Sequence, residues 1–187
     1  MKHNVLLLIL GAACCLYAGG CAREAELYYD SSEYAVEITG YEINFADEID
    51  FVECCVVFDS DKLKDYSGWK IVAIKIFNPD PNTPISYTPL VYEARPGITN
   101  PDALVSKNTR STEITSLNWK TISFETPVLI EESTDYWAGY SITPEPGQFP
   151  LAVGSEPSYG NSYISSSSLG AFLEVTQNWV LRIVVEK

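Results

Sequence analysis

Short runs of β-branched and aromatic residues, broken every few positions by Pro, Gly, Ser, Asn or Asp, fill the chain after its first twenty or so residues. Such spacing leaves little room for helices, because a helix needs an apolar residue every three to four positions over ten or more. Phe51–Phe58 reads as a strand ended by Asp59-Ser60-Asp61. Lys70–Phe77 alternates, with Val72, Ile74 and Ile76 expected on one face and Ile71, Ala73 and Lys75 on the other. Asn78-Pro79-Asp80-Pro81-Asn82 is a turn whose prolines cannot donate to a ladder. Further strands are expected at Ile85–Glu93, Pro127–Ile130, Tyr136–Ile142, Phe172–Val175 and Trp179–Val185. Ile114-Thr115 and Thr121–Phe124, flanking Ser116-Leu117-Asn118, are expected to form a hairpin. Ser60–Tyr66 is the single helical candidate, one turn behind an Asp/Ser cap. About ten strands in one unit predict an all-β, antiparallel two-sheet sandwich of jelly-roll type.

The first residues follow a different rule. Lys2 and His3 precede an almost wholly apolar run, Val5–Ala18, and Gly19-Gly20 stand before Cys21. The run is ~14 residues, or ~21 Å as a helix. The hydrocarbon it would have to cross is ~30 Å thick. This is the pattern of a cleaved export signal. Ala18-Gly19-Gly20-Cys21 resembles the lipobox of bacterial lipoproteins, with Ala18 where that family usually has Leu. The resemblance implies that Cys21 carries lipid and that the membrane is a partner through it. Cys14 and Cys15 are alternative acceptors. The expected organisation is a signal at 1–20, a tether at 21–26 and a β-sandwich at 27–187, exported and lipid-anchored at an outer membrane or cell surface.

Composition excludes several chemistries. The single His is His3, inside the leader, so the mature chain has no imidazole for a Ser-His-Asp triad, a zinc site or acid–base work. The net charge is −13, and losing residues 1–20 removes Lys2 and no acid. A surface that acidic repels nucleic acid. Cys54 and Cys55 are adjacent and point to opposite faces of a strand, so two unpaired thiols are expected rather than a bridge.

The mature chain resembles, in the order of its motifs, the jelly-roll-like β-sandwich modules of surface lipoproteins and adhesin-like proteins exported by Bacteroidetes-type bacteria. The motifs are Leu27-Tyr28-Tyr29-Asp30, Lys62–Ile71 after a strand ending in Phe58, and Leu90-Val91-Tyr92-Glu93. Asn118-Trp119, Pro127–Ile130, Tyr136-Trp137-Ala138-Gly139-Tyr140 and Asn178–Arg182 complete the series. The resemblance implies a non-catalytic module for adhesion or ligand binding. An envelope-assembly or protein-interaction subunit is the alternative of a different class.

Three candidate sites follow from residue types. Trp69 and Trp119, extended by Tyr159 and Tyr163, would form an aromatic platform on which a sugar ring stacks, while Trp137 and Trp179 read as core. Asp59, Asp61 and Asp65 offer carboxylates for a structural Ca²⁺, as do Asp47, Glu48 and Asp50, but neither set has the Gly and distal Glu of a dedicated loop. A solvated acidic surface is the plainer reading, and no other cofactor is expected. A two-carboxylate glycosidase needs no histidine, and Glu93, Glu125, Glu131, Glu132 and Glu174 are available to it. Acid pairs arise readily in so acidic a chain, so no catalytic residue is expected.

Overall fold

A computed structural model describes residues 23–28, 38–41, 50–115, 117–145, 148, 150–154 and 160–187. The signal at 1–20, Cys21, Tyr159, Asp47 and Glu48 lie outside the described residues. In chain order the strands are β1 (Glu24–Leu27), β2 (Ile38–Tyr41), β3 (Val52–Phe58), β4 (Lys70–Asn78) and β5 (Ile85–Ala94). Then come β6 (Ala103–Lys107), β7 (Thr112–Ile114), β8 (Asn118–Leu129), β9 (Asp135–Ile142) and β10 (Leu151–Gly154). The last are β11 (Ser162–Ser166), β12 (Leu173–Glu174), β13 (Asn178–Trp179) and β14 (Leu181–Glu186). One short helix, α1 (Ser60–Leu63), and a 3-10 turn over Lys64–Tyr66 join β3 to β4.

The strands form an antiparallel sandwich. One sheet runs β1-β14-β4-β8, and the larger runs β12-β11-β3-β9-β5-β6, with β7 also on β5. A small sheet, β13-β10-β2, supplies Leu151, Val153 and Trp179 to the same core. Ile71, Ile74, Ile76, Leu181, Ile183 and Val185 from one sheet meet Cys54, Val56, Phe58, Tyr136 and Tyr140 from the other. Each such buried aliphatic side chain is worth ~1.5–3 kcal/mol of apolar burial.

Three local differences from expectation have physical causes. Ile71, not Val72, joins Ile74 and Ile76 in the core, because a bulge between Ile71 and Ala73 shifts the register and turns the strand over. Ile114 and Thr121 do not pair in a hairpin. β7 pairs with β5 (Ile85↔Ile114), whereas β8 pairs with β4, and Leu117 at φ 52 lets the chain pass between sheets. Residues 24–26, expected in the tether, are strand. Glu24 to Leu27 pair with Glu186 to Ile183, and their edge position hid them from pattern reading.

The two ends of the sandwich are distinguishable. One row crosses the smaller sheet as Glu24↔Glu186↔Lys70↔Leu129. Tyr136, opposite Phe58, donates from its hydroxyl to Leu129 O at 2.9 Å and accepts from Glu131 N at 3.1 Å. The exit of β3 therefore lies at the same end as Glu24, and its entry at Phe51 lies at the other. We call these the proximal and distal poles.

Candidate functional site

The larger sheet is covered on both faces. All eight residues of β9 are buried, so this strand carries no inside–outside alternation. On its outer face a second apolar cluster joins Cys55, Leu90, Ala94, Trp137, Tyr163 and Phe172. Two loops hold this layer down. Asp135 accepts from Gly97 N at 3.1 Å and Ser60 N at 2.8 Å, fixing the 95–102 loop to α1. Asn100 then accepts from Phe172 N at 2.9 Å, tying that loop to the segment after β11. Phe172 packs edge-on to Tyr92 at 5.5 Å and Trp137 at 5.4 Å.

Beyond these loops the outer face opens. Pairing places Ser165, Glu53, Ser141 and Thr88 in one polar row across four strands, nearer the distal pole than the aromatic rows. A cleft of about 610 Å³ lies over this region, lined by Phe51, Glu53, Tyr92, Asn100, Ser165–Ser167 and Phe172. That volume falls within the range of small-ligand sites. Glu53 is 5% exposed and its charge is met in place. Lys107 Nζ donates to Oε1 at 2.9 Å and the Tyr92 hydroxyl to Oε2 at 2.6 Å. Burial, then the Glu53 carboxylate beside it, push the Tyr92 hydroxyl well up, so it remains a donor. Lys107 also lies over the Phe51 ring, 5.7 Å from its centroid, while Phe51 remains 38% exposed. The cleft combines an exposed aromatic face, an oriented carboxylate, an amide and three serines. Among the described residues lining it, Glu53 is the single carboxylate. A second hollow of about 310 Å³ continues the face past Ser141 to Ser86, Thr143 and Gln148.

Among the described residues, Trp69, Trp119 and Tyr163 are not brought together. Trp69 is half-buried beside α1, edge-on to Tyr66 at 5.2 Å. Trp119 is half-buried on the outer face of the other sheet, packed on Phe77 at 5.5 Å. Arg182 lies 4.8 Å and Lys75 5.6 Å from its ring centroid, and both cations bond Glu26. Two cations thus crowd this indole, whereas Phe51 meets one. Tyr163 is 8% exposed, stacked on Trp137 at 4.3 Å. Trp179 is in the main core, whereas Trp137 fills the outer cluster.

Asp59 caps α1, accepting from Lys62 N at 2.8 Å, and Asp61 and Asp65 are exposed. Among the described residues no three His, Cys, Asp or Glu side chains are grouped to hold a metal ion. Glu125 accepts from Thr109 and stands away from the cleft, as do the exposed Glu131 and Glu132. Cys54 and Cys55 are free and buried, one in each apolar cluster. Sequence reasoning missed Phe51, Glu53, Tyr92 and Lys107 as a group. Glu53, the one charge inside an apolar run, was the available signal.

No protein-family model matches the chain, and no curated protein does. One solved structure comprises the cysteine protease and lectin-like domains of Cwp84, a surface layer associated protein of Clostridium difficile. It aligns at a TM-score of 0.44 and 15% identity, over 74% of this chain and 32% of that one. An overlap that loose transfers neither a ligand nor an activity. No helix among the described residues is long and apolar enough to cross a membrane.

Proposed function

We propose that this chain is a non-catalytic, exported β-sandwich module, anchored by lipid on Cys21, that binds a ligand in the outer-face cleft of its larger sheet. The cleft around Glu53 carries the reading. Its carboxylate is already balanced by Lys107, so an uncharged ligand fits better than an ionic one. The part of the Phe51 ring left open beside Lys107 suits the C–H face of a sugar, and the exposed Asn100 and Ser167 suit its hydroxyls. A neutral saccharide is the ligand class these groups fit. The test is retention of residues 22–187 on a broad glycan array, with Phe51→Ala and Trp119→Ala in parallel. Retention lost with Phe51→Ala and kept with Trp119→Ala supports the cleft. The opposite pattern moves binding to the other sheet. Silence across the array shifts the reading to a protein partner, sought next by pull-down from the native envelope.

A further inference from the structure

The fold leaves almost no stalk between the candidate anchor and the sandwich. Cys21 and Glu24 are three positions apart. Three extended residues span at most ~10–11 Å. From Glu24 the chain is held along its length by β14, and Lys187 N adds a bond to Arg23 O at 3.0 Å. Glu24 opens the row Glu24↔Glu186↔Lys70↔Leu129, which is the proximal pole. Phe51, on the distal side of the cleft lining, precedes a strand that reaches this pole only at Phe58. Seven steps at ~3.3 Å each separate them by ~23 Å along the strand.

We infer that the proximal pole is a membrane-facing surface, pressed against the bilayer by the short link, and that the Phe51 side of the cleft lies away from the lipid. The inference rests on the lipidation of Cys21 proposed above. It adds the orientation, which lipidation alone leaves open, because an anchor on a long tether lets a domain tumble. The pole suits the headgroup layer. Leu129 is 49% exposed there, beside the exposed side chains of Lys70, Arg23 and Lys187 and the half-buried Trp69. Long cationic stems and an indole sit well at that depth. Glu24, Glu131 and Glu132 are also exposed at this pole, so the lipid rather than net charge supplies the attachment.

The test uses the full chain with its leader, produced in a bacterium and reconstituted into phosphatidylcholine vesicles carrying a headgroup spin label. Intact mass first reports whether Cys21 bears lipid. No lipid at Cys21 ends both the anchoring reading and this inference. With lipid present, a fluorophore is placed in turn at Leu129→Cys and at Ser86→Cys, an exposed position on the distal side of the Glu53 row. Quenching several-fold stronger at Leu129→Cys is the expected result. Inserting a Gly/Ser linker of about 20 residues after Ala22, with an r.m.s. span of ~25 Å, should erase the difference. Equal quenching at both positions without the linker, or stronger quenching at Ser86→Cys, overturns the orientation while leaving the anchor intact.

Discussion

Among the described glycines, Gly139 has the least room for a side chain. It lies in β9 between Cys55 of β3 and Leu90 of β5, two rows from Glu53. A Cβ built there would sit 1.9 Å from Cys54 O and 2.8 Å from both Cys54 C and Cys55 Cα. The obstacle is backbone of a paired strand, so no rotamer change relieves it. Two central strands must part by more than an ångström, which strains ladder bonds on both sides. Overpacking a core costs ~1–3 kcal/mol when side chains can shift, and here they cannot, so Gly139→Ala should cost ~3 kcal/mol or more. At a urea slope near ~2 kcal/mol/M this lowers the unfolding midpoint by ~1.5 M. It lowers Tm by ~6–12 °C for a chain of this size. Gly154→Ala is the control. Its Cβ would meet Val180 Cγ2 at 3.7 Å, an ordinary contact. That substitution should be neutral, or stabilising by ~0.4–1 kcal/mol through the unfolded state. Urea denaturation of residues 22–187 followed by tryptophan fluorescence reads both. A Gly139→Ala midpoint equal to that of Gly154→Ala would refute the claimed close approach of β9 to β3.

Three further outcomes follow from the same geometry. Lys107→Met leaves the buried Glu53 carboxylate with only the Tyr92 hydroxyl and should cost ~1–3 kcal/mol by urea denaturation, partly recovered by adding Glu53→Gln. Burial pushes both the Cys54 and Cys55 thiols up, so neither should react with a thiol reagent at neutral pH in the folded protein, and both should react in denaturant. Fast labelling of the native chain would contradict the packing at the two clusters. Burial raises the Glu26 carboxyl, but hydrogen bonds from Arg182 and Lys75 and their charges outweigh it and leave it below its ordinary 4.5. A depressed folded value gives stability that is complete above about pH 4.5 and lost as pH falls through the lower folded value. Glu26→Gln should therefore flatten the acid limb of the urea midpoint, and an unchanged limb would sink that assignment.

How far the sequence disclosed this molecule depended on burial. Strands dense in β-branched and aromatic residues were legible, as Lys70–Asn78 and Ile85–Ala94 show, with bounds off by a residue. Ala103–Lys107 and Leu151–Gly154 lack β-branched or aromatic density and were not legible. The bulge at Val72, one extra residue against Val184 and Val185 of β14, defeated the face assignment because it reverses everything on its far side. Trp137 was legible as buried but not as belonging to the outer cluster, since β9 is covered on both sides. The cleft was invisible for a related reason. Phe51, Tyr92 and Ser165 meet only through the pairing of β3, β9, β5 and β11, and register between distant strands is not written in any one of them.

The central claim is that the outer face of the larger sheet is the ligand face. Amide hydrogen exchange of residues 22–187, with and without a glycan retained on the array, tests it most directly. Added protection is expected at 51–53, 92, 100 and 165–172. Protection confined to 118–123 and 182–184, around Trp119, would contradict it.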